Sequence, residues 1–138
     1  MPDTFSARIA AFADGSQQRL ADVTHEAALL IDREVARPEQ EGGNLPVVSG
    51  NLRRSRAAST IGMPSVLWRQ KEFNGSDAAI AAVINGAPLG ASIWIGFQAP
   101  YAIKVEDKKG FVRLAAQRWP QVVGEAVRNV VSRSGGAA

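Results

Sequence analysis

The side chains able to do chemistry in this sequence are few, and arginines dominate them. The chain has one histidine, His25, beside Glu26, and no cysteine. Histidine is the commonest acid–base residue, but no HExxH pattern and no second histidine accompany it, so a zinc site lacks its ligands. No serine stands in a GxSxG turn that would make it a nucleophile. The sequence therefore favours no enzymatic activity, no cofactor and no metal.

Two weaker arrangements remain among the acidic and glycine residues. Glu34, Glu39 and Glu41 cluster where a helix is expected to end, and paired carboxylates can serve acid–base catalysis. A solvated charged face is the commoner explanation of such a cluster. The glycines of "EGGN" lack the lysine and the strand–helix context of a phosphate-binding loop.

The arginines of "SGNLRRS", residues 49–55, are the prominent feature. Arg53, Arg54 and Arg56 lie in a stretch that contains no acid between Glu41 and Glu72. Residues 1–48 carry four arginines against eight acids, a balance of −4, whereas residues 49–138 carry twelve basic residues against five acids, a balance of +7. Such asymmetry suits either an anionic polymer or a neighbour of opposite charge, because arginine serves protein interfaces and phosphates alike.

Length and composition predict one folded domain spanning 1–138. The 138 residues are 46% hydrophobic and 21% charged, typical of a globular protein. The N-terminus lacks the apolar core of a secretory signal, and no stretch is long and apolar enough to cross a bilayer. We therefore expect no membrane association. The absence of cysteine fits a reducing cytoplasm.

The positioning elements are predicted to form an α+β fold, with a long N-terminal helix, a central antiparallel sheet of three to four strands and a C-terminal helix. Apolar residues recur at helical spacing over 3–36. Residues 38–50, rich in proline and glycine, predict a flexible loop. The strands are expected in four apolar runs bounded by turn-forming residues: residues 57–62, 65–70, 78–84 and 91–97.

The C-terminal third returns to helical signals. Residues 99–106, "APYAIKVE", predict a short helix or turn, and residues 110–133 show the helical period. Pro120 lies inside that pattern, where it either starts a second helix or kinks the first. Residues 134–138, "SGGAA", predict a disordered tail.

Three segments together resemble a known family. "SGNLRRSRAAS" at 49–59 resembles a Thr/Ser-Gly-x-Leu-Arg-x-Ser motif, "APYAIKVE" a Tyr-Ala-x-x-Val-Glu motif, and "GFVRLAAQRW" at 110–119 the start of a last helix. These motifs are similar to those of the tailed-bacteriophage neck proteins for tail completion or head–tail joining, to which the lambda gene Z product is related. Here Glu106 is followed by "DKKG", where the family usually has Gly-Thr and a longer loop.

The resemblance implies a mechanical role rather than a chemical one. It implies a virion structural protein of the neck, assembled in the bacterial host cytoplasm. Copies would form a ring of six between head and tail. Partners would be copies of itself, neighbouring neck proteins, the tail tube and terminator, and genomic DNA passing through without sequence specificity. The expected subunit or partner contacts are Arg53, Arg54, Arg56, Tyr101, Glu106 and Arg113, and the DNA-channel candidates are Lys108 and Lys109.

Other functions stay open at this point. Within the neck, the chain could be the tail terminator or the head-closure protein instead of the completion protein. A nucleic-acid-binding protein would use the same arginines on phosphates, with affinity that falls steeply as salt rises. A hydrolase using His25 and an acid is the remaining possibility.

Overall fold

A computed structural model of the chain describes residues 5–133. Apart from one 3₁₀ turn, this range contains eight regular elements, six of them α-helices and two of them short strands. In chain order they are α1 Phe5–Ala36, α2 Asn51–Arg54, β1 Arg56–Ser59, α3 Asp77–Gly86, β2 Trp94–Phe97, α4 Ala102–Lys109, α5 Phe111–Ala116 and α6 Trp119–Arg133. A mixed helix-and-sheet fold is therefore confirmed.

The long N-terminal helix is confirmed as one continuous element. α1 spans 32 residues. Gly15 costs a helix interior about 1 kcal/mol relative to alanine, yet α1 runs through it without interruption. The predicted first residues, 3 and 4, lie outside the described part of the chain. Within residues 5–133, no helix combines the length and apolarity needed to span a membrane.

The sheet is smaller than predicted. β1 and β2 pair antiparallel, with Arg56 opposite Phe97 and Ser59 opposite Trp94. Three to four strands are not confirmed, because residues 65–70 form no strand. That segment nevertheless lies beside the sheet, since the Leu67 amide donates to the carbonyl of Gln98 at 2.9 Å.

The predicted strand over 78–84 is wrong, because the segment is the helix α3. Alanine, the best helix former, supplies four of its ten residues. Ser76 caps its start, accepting a hydrogen bond from the Ala79 amide at 3.1 Å. Ile80 and Ile84, one helical turn apart, are its buried residues. The two buried isoleucines follow a helical period, which cannot be recognised in the sequence because the neighbouring residues are apolar as well.

The segment 38–50 is an anchored loop. Its Glu39–Glu41 stretch forms one 3₁₀ turn, and an isolated bridge pairs Pro38 with Leu45. Leu45 is fully buried in the core. As predicted, this segment contains no long helix or strand. Mobility of the loop before assembly stays a prediction, and it has to be compatible with the burial of Leu45.

The C-terminal region separates into three helices. The predicted helix or turn at 99–106 is α4, which ends at Gly110 with φ of 60°, a left-handed conformation that favours glycine. Pro120 starts a second helix, because it lies in the first turn of α6, where its missing N–H costs nothing. The predicted tail, 134–138, lies outside the described residues.

The core consists of three apolar clusters arranged around α1. The first joins the end of α1 to the loop, α4 and α5, the second packs α1 on α6, and the third packs α1 on α3 and the sheet. Their most buried members are, respectively, Leu45, Ala99 and Phe111; Ala27 and Ala126; Ile80 and Ile84. Since α1 contributes to all three clusters, it is the common wall of the fold.

The Ser76 cap offers a test of α3. Ser76→Ala removes the acceptor for the Ala79 amide and is expected to lower the free energy of unfolding by about 1 kcal/mol. Urea denaturation followed by circular dichroism measures it. Ser92→Ala, at an exposed position outside every helix, is the control and should change stability little. Equal, small effects of both substitutions would contradict a helix that begins at Asp77.

Candidate functional site

The segment "SGNLRRS" and the following Arg56 form a tight corner, residues 49–56, called here the α2 corner. Gly50 precedes α2 with φ of 80°, which a residue with a side chain adopts only at a cost. Leu52 is buried in the first core cluster together with Ala102 and Phe111. Gly50 therefore turns the chain into α2, and Leu52 anchors the corner in the core.

Asn51 and Arg54 attach the following segment, residues 71–75, to this corner. The Asn51 side chain donates to the Lys71 carbonyl at 2.9 Å and accepts from the Phe73 amide at 2.9 Å. Arg54 donates through Nε to the Phe73 carbonyl at 3.1 Å. A Cβ on Gly75 would lie 2.4 Å from the Arg54 carbonyl oxygen, so glycine is required where the two segments meet.

Arg56 is inside the protein, which corrects its prediction as a surface contact. Its side chain is 3% exposed. Nε and one terminal nitrogen donate to the two Asp32 oxygens at 2.9 and 3.2 Å, and the same terminal nitrogen also donates to Asp77. The absence of nearby acids in the sequence was misleading, because α1 and α3 deliver carboxylates from distant positions.

The two carboxylates that hold Arg56 lie in different surroundings. Burial raises the pKa of Asp32 above its ordinary value of 3.8, and the charge of Arg56 opposes that rise. The hydrogen bond from Arg56 lowers the pKa of Asp77, whose side chain is 70% exposed. Asp32 thus carries the cost of burying a charge, while Asp77 is ionised at neutral pH.

Arg53 and Arg54 differ in how free they are. Arg53 is half-exposed, and one of its terminal nitrogens lies 3.7 Å from Asp77, a loose ion pair. Arg54 is exposed, but besides the Phe73 carbonyl its guanidinium reaches the Ser49 carbonyl at 3.2 Å. Arg53 therefore keeps only part of its guanidinium exposed, since its Nε is buried without a hydrogen-bond partner, whereas Arg54 holds the loop.

Tyr101 and Glu106 connect the second motif to the other two. The Tyr101 hydroxyl accepts from the Asn51 amide at 3.0 Å, and its ring remains partly exposed. The Glu106 carboxylate accepts from the amides of Val112 and Arg113 at 2.8 and 3.1 Å, which are orphan donors in the first turn of α5. Glu106 thus caps a helix of its own chain.

The remaining predicted residues lie on the surface. Arg113, Lys108 and Lys109 are exposed on α5 and at the end of α4. Lys109 lies 3.3 Å from Glu39, so Lys108 is the less engaged of the two channel candidates. No described contact brings Arg113 to the α2 corner.

Much of the charge asymmetry is satisfied within the chain. Acids of the first 48 residues pair with bases of the remainder in four places. These pairs are Asp32–Arg56, Glu39–Lys109, Glu34–Arg118 and Glu26–Arg133. The two oppositely charged halves therefore bind each other first, and only the rest of the charge is available to partners.

The sole histidine has a structural contact. His25 Nε2 lies 2.7 Å from the carbonyl oxygen of Ala87, joining α1 to the end of α3. Among residues 5–133, no group of three metal-binding side chains comes together. Three residues that hold the α2 corner in place were not predicted from the sequence: Asn51, Asp32 and Asp77. Of these, only Asn51 lies inside a motif, where its position was a local signal.

The Arg56 ion pair yields a stability prediction. Arg56→Met leaves Asp32 buried without a partner, and we expect a loss of about 3–5 kcal/mol in the free energy of unfolding. The double variant Asp32→Leu/Arg56→Met removes both charges and should recover most of that loss. Urea denaturation measures both. A double variant as unstable as the single one would show that packing, not the unpaired charge, dominates.

The shifted pKa of Asp77 yields a pH prediction. Because its folded-state pKa is below 3.8, Asp77 contributes stability above that value, and this is lost as pH falls through the folded pKa. The raised pKa of Asp32 acts in the opposite direction, its contribution fading as pH rises. In the Asp77→Asn variant, the midpoint of urea denaturation should therefore fall less steeply as the pH drops from about 5 to about 2. A steeper decline would contradict it.

Comparison with known proteins finds no relative of this chain. No protein-family model matches the chain, and neither the curated proteins nor the solved structures contain a match.

Proposed function

We propose that the chain is a structural protein of a bacteriophage virion. It is a tail-completion or head–tail joining subunit of the neck, forming a homo-oligomeric ring of six around the DNA channel. Copies of the same chain, neighbouring neck proteins and the tail tube or terminator are its partners. The motif resemblance described above is the basis of this proposal.

The observation that supports it is that the three motif segments contact one another. Asn51 of the first bonds Tyr101 of the second, and Glu106 of the second caps the helix that begins the third. Leu52, Ala102 and Phe111, one from each segment, share a core cluster. The first segment lies far from the other two in sequence, and the packing of all three into one unit gives a physical reason for their joint occurrence.

The geometry also bears on the nucleic-acid alternative. Arg56 is buried and Arg54 is bonded to two carbonyl groups. Both would have to leave these partners to bind phosphates. Exposed Lys108 suits the weaker, sequence-independent contact that a DNA channel requires.

Loss of the gene in a phage that encodes the chain tests the function. The expected result is filled heads and finished tails that stay separate, with joining restored when the purified protein is added. Electron microscopy of labelled particles should locate the chain at the neck. Overlong tails would indicate a terminator, and heads that lose DNA a closure protein. Normal joining without the chain would overturn the proposal.

Two arginines of the motif segments provide a finer prediction. Arg53→Gln/Arg113→Gln should fold normally, because Arg113 is exposed and Arg53 makes only a loose, half-exposed ion pair, and such charges contribute about 0–1 kcal/mol. The variant should nevertheless restore joining poorly. Arg54 is left intact because it holds residues 71–75. The matched control is Arg69→Gln/Arg128→Gln, which removes two exposed arginines outside the predicted contacts. Equal restoration by both proteins would contradict the assigned surface.

A further inference from the structure

The first half of α1 projects beyond the other helices and strands of residues 5–133. α6 runs antiparallel to α1, and its last described residue, Arg133, bonds Glu26 at 2.9 Å. Residues 5–20, called here the overhang, continue for a further 24 Å or so at 1.5 Å per residue. Three large apolar side chains on it are more than half exposed: Ile9 at 54%, Phe12 at 69% and Leu20 at 56%.

These side chains form one stripe that continues the buried face of α1. Ile9, Leu20 and Ile31 follow one another at eleven-residue intervals, which returns each to within about 20° of the last. Ile31 packs against the second core cluster. The stripe therefore has the character of a core face, but none of residues 21–133 covers it.

A second uncovered apolar surface lies on the same molecule. A cleft of about 490 Å³ opens between the end of α1, the sheet, α4 and α5. Among the described residues that line it, Glu106 carries the single charged side chain. Its apolar walls include Ile31, Val35, Ile95, Phe97, Ile103 and Val112.

The overhang cannot fill the cleft of its own chain. Ile31 and Val35 of α1 line that cleft. Leu20 stands eleven residues earlier on the same continuous helix, about 16 Å away along its axis. The overhang can therefore enter only the cleft of a second copy.

The charges beside the two surfaces have opposite signs. Arg8 and Arg19, eleven residues apart, lie on one flank of the stripe, about 80–100° from Ile9. On α4, Glu106 and Asp107 lie about 60° and 40° from Ile103, on either side of it. Lys104 and Lys108 are rotated further away, by about 100° and 140°. The stripe thus has a basic flank, and the α4 side of the cleft has an acidic rim.

The area of this contact indicates how it is used. Covering the exposed part of each stripe side chain removes on the order of 100 Å². The total, with the opposing cleft, falls below the roughly 1,200–2,000 Å² of a standard stable interface. One contact alone is weak, whereas in a closed ring each copy makes two.

We propose that the apolar stripe of one copy inserts into the cleft of the next copy, with Arg8 and Arg19 facing Glu106 and Asp107. The head-to-tail direction of this contact rests on the proposed ring function, whereas the pairing of stripe with cleft does not. The overhang then acts as a connecting arm between successive subunits.

The absence of native cysteine makes cross-linking a clean test. Ala13→Cys lies beside the stripe and Ala116→Cys lines the cleft, and both keep the large apolar side chains. A disulfide requires Cα atoms within about 7 Å, so mild oxidation traps even a weak contact. The mixed single variants should give a disulfide-linked dimer, and the double variant a ladder of linked copies. Ala82→Cys, exposed on α3, replaces Ala116→Cys in the control and should give none.

The outcomes separate the contact from the ring. Absence of the mixed dimer, or efficient pairing of Ala13→Cys with itself, would overturn the stripe-in-cleft contact. A double variant that stops at closed dimers would support the contact and overturn the ring. Adding Phe12→Asp, a change at an exposed position, should abolish the mixed cross-link while the thermal unfolding curve stays unchanged. A cross-link that survives Phe12→Asp would also contradict the proposal.

Discussion

The buried ion pair between Arg56 and Asp32 is the interaction on which the rest of the structure depends. A charge removed from water is tolerated only with a partner in good geometry, so Arg56 fixes β1 against α1 at one register. Its third bond, to Asp77, places the start of α3. The α2 corner ends at this same arginine, and its orientation is therefore set from within the protein.

From that fixed corner, contacts extend to the other motif segments. Asn51 reaches Tyr101 on one side and residues 71–75 on the other. The charges left for partners are then those that these contacts do not consume. The three arginines that form a continuous basic stretch in the sequence differ in the structure. Arg56 is buried in an ion pair, Arg54 holds residues 71–75, and Arg53 remains partly exposed. Positive and negative charges are therefore less separated on the protein surface than they are between the two halves of the sequence.

The sequence predicts elements whose signal is local and misses those whose partner is distant. α1 was predictable because its apolar residues keep one period over many turns, and Pro120 because proline belongs in a first turn. The run 78–84 satisfies strand and helix patterns alike, and its alanines decided for a helix. Asp32 stands 24 residues before Arg56, so no spacing in the sequence announces that pair. The role of Glu106 as a cap likewise depends on a turn at Gly110.

The continuity of α1 has a consequence for how this sequence can vary between related chains. Each inserted or deleted residue within 5–20 rotates everything before it by about 100° relative to the core. A single-residue change of length would therefore turn Phe12 and Ile9 away from the line of Ile31. Changes of seven or eleven residues restore that line to within about 20°. We expect homologous chains to differ in the length of this helix by such steps, while residues 60–66, which contain no regular element, should vary in length residue by residue.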